Sequence, residues 1–437
     1  MLDAAYRKRL AADLPAWQAR GWIGEEGARA ILDALPPVRP GAGLTALVAT
    51  LGTLLIGLGA VALVAANWEE IPRLTRFVIL VATMAAAYAG AWRLRARGQP
   101  AFAETALLLA GLVFAGSIAL VGQSYHLAGD FTDGLLLFAL GTLGAAFLAR
   151  SGMLAVLAVA GAAYWTGTVM IEGNGLPHGP GLALILAGGA LGTWLDSRAA
   201  RSLAMVAAGG WIVVALIGAI GVWRWNPVAA VAVGIGAALA LWALGQALGA
   251  LDRRPRLAAL GRDLVHPALA AALAGLAILQ LGDLFGFGTR GAGLATPLVL
   301  ACGLVELAAA LALVAARRGA LKEAEAGALA ALGAAAIAFV LVRPGNAFLA
   351  SLLGAVLVLA GALFAVWLGQ AGRQAGAKRL GLTVFGLEVA YVYVVTLGTI
   401  LDTALSLIAG GLLFIGLAVV LIRVNRALAA RGIGAAA

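Results

Sequence analysis

Residues 44–66 read LTALVATLGTLLIGLGAVALVAA, twenty-three residues without a charged side chain. At about 1.5 Å of rise per residue, a helix of this length crosses the hydrocarbon core of a bilayer. The run therefore reads as a transmembrane helix, and the rest of the chain repeats it. Further apolar runs cover 74–92, 103–122, 134–149, 152–171, 180–195, 202–222, 227–250, 265–282, 292–315, 324–342, 346–369, 380–398 and 403–422. Runs 134–149 and 180–195 fall below the usual spanning length. The fold class expected is all-α, a polytopic membrane bundle of about fourteen helices.

Composition agrees. The chain has 437 residues, of which 63% are hydrophobic and 11% charged, and a mean hydropathy of +1.01. Soluble domains hold about 45–50% apolar and about 25% charged residues, so the excess belongs in a bilayer. The 60 glycines fit helices whose backbones approach closely. A net charge of +10 suggests nucleic acid only until its distribution is seen. The basic residues sit in short clusters between apolar runs, where they orient helices and meet anionic headgroups. No nucleic-acid partner is expected. Cys302 is the one cysteine and lies inside an apolar run, where a thiol packs as a small hydrophobe. The first apolar run starts at Leu44, too far in for the h-region of a signal peptide.

Working outward to the N-terminus, residues 1–40 are the one soluble-looking segment. Tyr6, Leu10, Leu14 and Trp17 recur at helical spacing, Gly21 to Gly24 break the pattern, and Glu25 and Glu26 open a second helix. Pro36, Pro37 and Pro40 end it. A short cytoplasmic amphipathic hairpin results, docked on the membrane or recruiting a protein partner. The membrane regions then divide as 44–171 and 180–422, with a cytoplasmic tail at 423–437.

Orientation follows from the positive-inside rule. With the N-terminus inside and fourteen alternating spans, only Arg73, Arg76, Arg224, Arg290 and Arg343 face outward, against the other 25 of 30 basic residues. Both termini are expected in the cytoplasm and the protein in a bacterial inner (plasma) membrane. Trp68, Trp92, Trp223 and Trp225 lie at the ends of expected helices, as an aromatic belt would.

Two stretches carry a resemblance. One is Val64-Ala65-Ala66-Asn67-Trp68-Glu69-Glu70-Ile71-Pro72. The other is Gln123-Ser124-Tyr125-His126-Leu127-Ala128-Gly129-Asp130, followed by Asp133-Gly134 and a leucine run. With Trp22-Ile23 before Glu25-Glu26, they resemble domain-of-unknown-function family 2157, predicted bacterial membrane proteins, over roughly residues 1–170. The resemblance implies a membrane location. It implies no reaction, cofactor or substrate.

Ionisable groups deep in a bilayer are costly, and they often mark function. Glu306 lies mid-span in the run 292–315 and Glu388 near the middle of 380–398, with Tyr391 one turn beyond as a hydrogen-bonding neighbour. These three are candidate intramembrane polar sites. A carboxyl that gives up its proton when water enters is one way transporters use a proton gradient. The alternative is a neutral acid satisfied by a neighbouring backbone group. The helix before His126 carries a stripe of small residues, Gly111, Ala115 and Ala119, ending in Gln123. Gln123, His126 and Asp130 form a candidate polar cluster at the outer boundary, too few for a metal site. No phosphate loop, dinucleotide fingerprint, zinc-protease helix or nucleophile elbow is present, so no catalytic residue, cofactor or metal is expected. The reading is a membrane protein that binds or transports a small or lipid-like molecule. Its alternative is a non-transporting envelope scaffold or sensor acting through residues 1–40.

Overall fold

A computed structural model describes residues 10, 13–15, 17–34, 71–125, 131–251, 253–281, 293–343, 345–370 and 374–397. The expected runs 44–66 and 403–422, the tail 423–437 and Trp68 lie outside them. Among the described residues regular structure is helical, apart from one isolated bridge between Trp225 and Gly293. Ten of the helices are long and apolar enough to cross a bilayer. The chain divides into two compact units, Met1–Gly129 and Asp130–Ala437.

In the first unit, α1 (Glu25–Ala34) folds back on a helical stretch carrying Leu10, Leu14 and Trp17. Leu10, Leu14 and Ala28 form a small buried core with Trp17, Ile23 and Ile31 against it. Gly21, at φ +73°, makes the turn in a region that side chains rarely adopt. The expected hairpin is therefore present. α2 (Arg73–Ala96) and α3 (Pro100–Tyr125) form a second hairpin, tied by Arg95 Nη2 donating to Glu104 Oε1 at 2.8 Å. The buried residues of α3 include Ala103, Leu107, Ala110 and Val113. The small-residue stripe is buried at Gly111, half-buried at Ala115 and exposed at Ala119.

The second unit contains two apolar cores. The first lies among α4 (Phe131–Ala149), α5 (Gly152–Glu172), α6 (Gly179–Trp194) and α7 (Arg198–Gly221). Its buried residues are Ala139, Val159, Ala162, Ile185 and Ala204. α4 reaches nineteen residues and joins the spanning set, whereas α6 has only sixteen, about 24 Å. α6 packs through small residues: Gly188 faces Val159 and Gly189 faces Ala204 with no room for a side chain. The second core is built on α8 (Pro227–Gly249), which is buried along most of its length. Around it stand α9 (Pro255–Gln280), α10 (Ala295–Arg317), α11 (Glu323–Val342), α12 (Ala347–Gln370) and α13 (Ala375–Leu397).

Two helix starts depart most from the hydropathy pattern. α9 begins ten residues before its apolar run and α13 five before, each taking charged residues into the helix. Hydropathy marks where hydrocarbon begins, while the backbone stays hydrogen-bonded as a helix beyond it. Local signals do fix several starts. Ser151 Oγ accepts from Leu154 N, and Asn226 Oδ1 accepts from Val228 N and Ala229 N ahead of Pro227. Trp225 corrects the belt expectation. It is buried, 5.6 Å from the Trp223 ring, because Asn226 N and the Arg224 carbonyl pair with Gly293 and draw the loop inward. Trp92 and Trp223 are exposed as expected.

Candidate functional site

α9, α12 and α13 meet at Glu388. Its Oε1 accepts a hydrogen bond from Gln280 Nε2 at 2.7 Å, and the two residues are 5% and 3% exposed. Gln280 is the last residue of α9, and Glu388 is the fourteenth of the 23 residues of α13. α12 closes the third side. At Gly354 an added Cβ would fall 2.7 Å from Gln280 Cα and 2.8 Å from its Cβ, so the glycine admits the neighbouring helix. Leu276, Leu279, Leu357 and Val358, close in sequence to Gln280 and Gly354, belong to the apolar core. The result is one carboxyl and one amide facing each other in a low-dielectric interior. There an unpaired polar group is costly and a satisfied one fixes the register of its helices.

The other expected site residues fall elsewhere. Tyr391 is half-buried on α13, and the hydrogen bond that Glu388 accepts comes from Gln280 rather than from it. Glu306 sits at the middle of α10 and is exposed, on the same outward stripe as Val299, Gly303, Leu307 and Ala310. It is not brought together with Glu388. Gln123 lies in the last turn of α3, while its side chain, His126 and Asp130 lie outside the described residues. Among the described residues no group of acidic, histidine or cysteine side chains could hold a metal ion.

Two groupings escaped the sequence. Gln280 was hidden because a lone amide at the end of an apolar run gives no signal, and its partner is 108 residues away. Arg201 was placed among orienting charges. It is 5% exposed by side chain and held on two sides: its Nη2 lies 3.0 Å from Asp263 Oδ2 on α9, and its Nη1 lies 3.1 Å from Asp196 Oδ1 before α7. Arg198 stands 3.6 Å from the same Asp263. An arginine three residues after Arg198, on the α7 face turned to α9, is the one trace of this in the sequence.

Residues 15–155 match the model of a family described as predicted membrane protein, domain of unknown function 2157. The match starts within the N-terminal hairpin, runs through α2, α3 and α4 and ends in α5, and the resemblance read from residues 1–170 holds over that stretch. No curated protein and no solved structure matches the chain. Together with the apolar helices, the match makes this a multi-pass integral membrane protein in a lipid bilayer.

Proposed function

We propose that this membrane protein binds and moves a small polar or lipid-like molecule, with Glu388 and Gln280 as the polar element that the molecule meets. The observation that carries the reading is the buried carboxyl–amide hydrogen bond between α9 and α13, with Gly354 of α12 pressed against it. A carboxyl is a costly residue for a bundle that serves only as an anchor. Insertion scales put an acidic side chain at a helix centre at about 2.5–3.5 kcal/mol. Carboxyl and amide both accept, and the amide donates, so a ligand entering between them meets complementary groups at the place where three helices converge. The structure is closed around the pair, so entry requires the helices to part.

In this reading the protein lies in a bacterial inner membrane with its basic helix ends, such as Arg253, Arg254, Arg256, Arg317 and Arg318, in the cytoplasm. The support is the 25 of 30 basic residues that one orientation places on that side.

The test is thermal unfolding of the full chain in detergent against a panel of phospholipids, alkali cations and small metabolites, with Glu388→Gln and Gln280→Leu beside the wild type. A ligand at one hundred times its dissociation constant stabilises a native state that alone binds it by about 2.7 kcal/mol. A stabilising ligand whose effect disappears in both variants supports the site. Ligands that act equally on all three proteins place binding elsewhere.

A second reading, a scaffold or sensor working through the N-terminal hairpin, is favoured by Trp22. It is 65% exposed, with the Arg20 guanidinium 5.0 Å from its ring centre. Removing residues 1–34 should abolish activity in cells under this reading and leave the ligand response intact under the first.

A further inference from the structure

We propose that Arg201 and Asp263 form an ionic latch that holds the α4–α7 helices against the α8–α13 helices at one end of α7, and that its release lets the two groups part there. This goes beyond the Glu388 reading and does not rest on it.

α7 meets the second group in two chemically different ways. Near its C-terminal end the contact is apolar. Ala219 belongs to the core built on α8, with Leu216 and Ile220 packed against it. Backbone bonds pin the same end: Trp225 N donates to the Ala219 carbonyl, Asn226 N to that of Gly293, and Gly293 N to that of Arg224. Eighteen residues earlier, about 27 Å along the helix, the chemistry changes. Ala204 belongs to the other core, and the bond to α9 is the Arg201–Asp263 pair, with Arg198 3.6 Å from the same carboxylate. One end of α7 is thus fastened by packing and backbone. The other end is fastened by an ion pair, which is either made or broken.

Three features suit this pair to opening rather than to permanent bracing. Asp196 stands in the turn before α7 and travels with Arg201, so when Asp263 withdraws the arginine keeps a carboxylate. Arg201, the more buried of the two, is therefore not left as an unpaired buried charge, the usual penalty for breaking such a pair. Asp196 and Arg198 are also strongly exposed, so the buried pair has solvent-facing charged neighbours beside it. Finally, Pro267 lies four residues beyond Asp263 inside α9. It has no N–H to bond the Asp263 carbonyl, which makes the first turns of α9 the weak part of that helix. Asp263 therefore sits on a segment able to swing, against a partner that does not need it to stay paired.

The experiment measures the distance between nitroxide labels on cysteines introduced at Ala199 and Arg256, both exposed, in full-length protein with Cys302→Ser in lipid nanodiscs. Wild type should give a short distance with a minor longer population. Asp263→Asn should raise the longer population several-fold. Asp196→Asn, which spares the α7–α9 bond, should raise it far less. Arg201→Lys, which replaces the guanidinium fork by a point charge, should fall between them. An unchanged distribution in Asp263→Asn, with the protein folded, overturns the latch and leaves a static brace. Failure of both Asp263→Asn and Arg201→Lys to fold makes the pair a structural necessity and overturns it equally.

Discussion

Glu306 and Glu388 are the same side chain near the middle of two 23-residue helices, α10 and α13, yet their surroundings differ completely. Glu388 is enclosed by α9 and α12 and given an amide to bond. Glu306 lies on the outer stripe of α10 beside Val299, Gly303 and Leu307. Hydropathy cannot separate these cases, because it describes each helix alone. Burial is decided by what the neighbours present: a glycine at 354 that lets α12 close in, and a glutamine at 280 that reaches across. The comparison teaches that a polar residue in a span becomes a candidate site only when the helices around it are arranged to receive it.

The comparison is broken most directly by filling the space that makes the enclosure. Gly354→Leu places a side chain where even a Cβ would fall within 3 Å of Gln280 backbone and side chain. Overpacking of this kind destabilises by about 1–3 kcal/mol, and the melting temperature in detergent should fall more than in any other variant proposed for the pair. The same change at Gly303, which has nothing within 4 Å of its Cβ position, should leave the melting temperature where it was.

The next effect is the hydrogen bond itself. Glu388→Leu leaves Gln280 Nε2 buried without an acceptor, a loss of about 1–3 kcal/mol. Adding Gln280→Leu should restore part of it, because a pair of apolar side chains strands no polar group. The coupling energy from the four proteins of this cycle should lie near the ~0.6–1.7 kcal/mol measured for side-chain bonds inside membranes. A coupling of zero would mean that the carboxyl and the amide are satisfied separately, and the site would lose its central contact.

What the sequence could show follows from the same distinction. Features written in one dimension were legible: the apolar runs, the N-terminal hairpin with its break at Gly21 to Gly24, and Glu388 as an odd residue in its helix. Features that depend on pairing were not. Gln280 finds Glu388 across 108 residues, and Arg201 finds Asp263 across 62. Each member looks ordinary alone, one as an amide at the end of a run and the other as a basic residue in an orienting cluster. Trp225 failed for a related reason. Its position at the end of an apolar run suited an interface anchor, but Gly293, 68 residues on, supplies the backbone partner that draws its loop inward.

The smallest effect sharpens the contrast from the other side. Glu306→Gln replaces a carboxyl by an amide on a side chain that is exposed in the folded protein and would be exposed again in an unfolded helix. A group that meets the same surroundings in both states contributes little to their difference, whatever its cost of insertion. Surface substitutions of this sort stay within about 0.5 kcal/mol, so the melting curve of Glu306→Gln should overlay the wild type while Glu388→Leu shifts beside it. A drop as large as that of Glu388→Leu would mean that a second polypeptide covers Glu306 in the purified protein. The oligomeric state of the variant, measured by light scattering with detergent subtraction, would then change with it. An overlay with unchanged mass leaves Glu388 as the one carboxyl of the pair that the fold has enclosed.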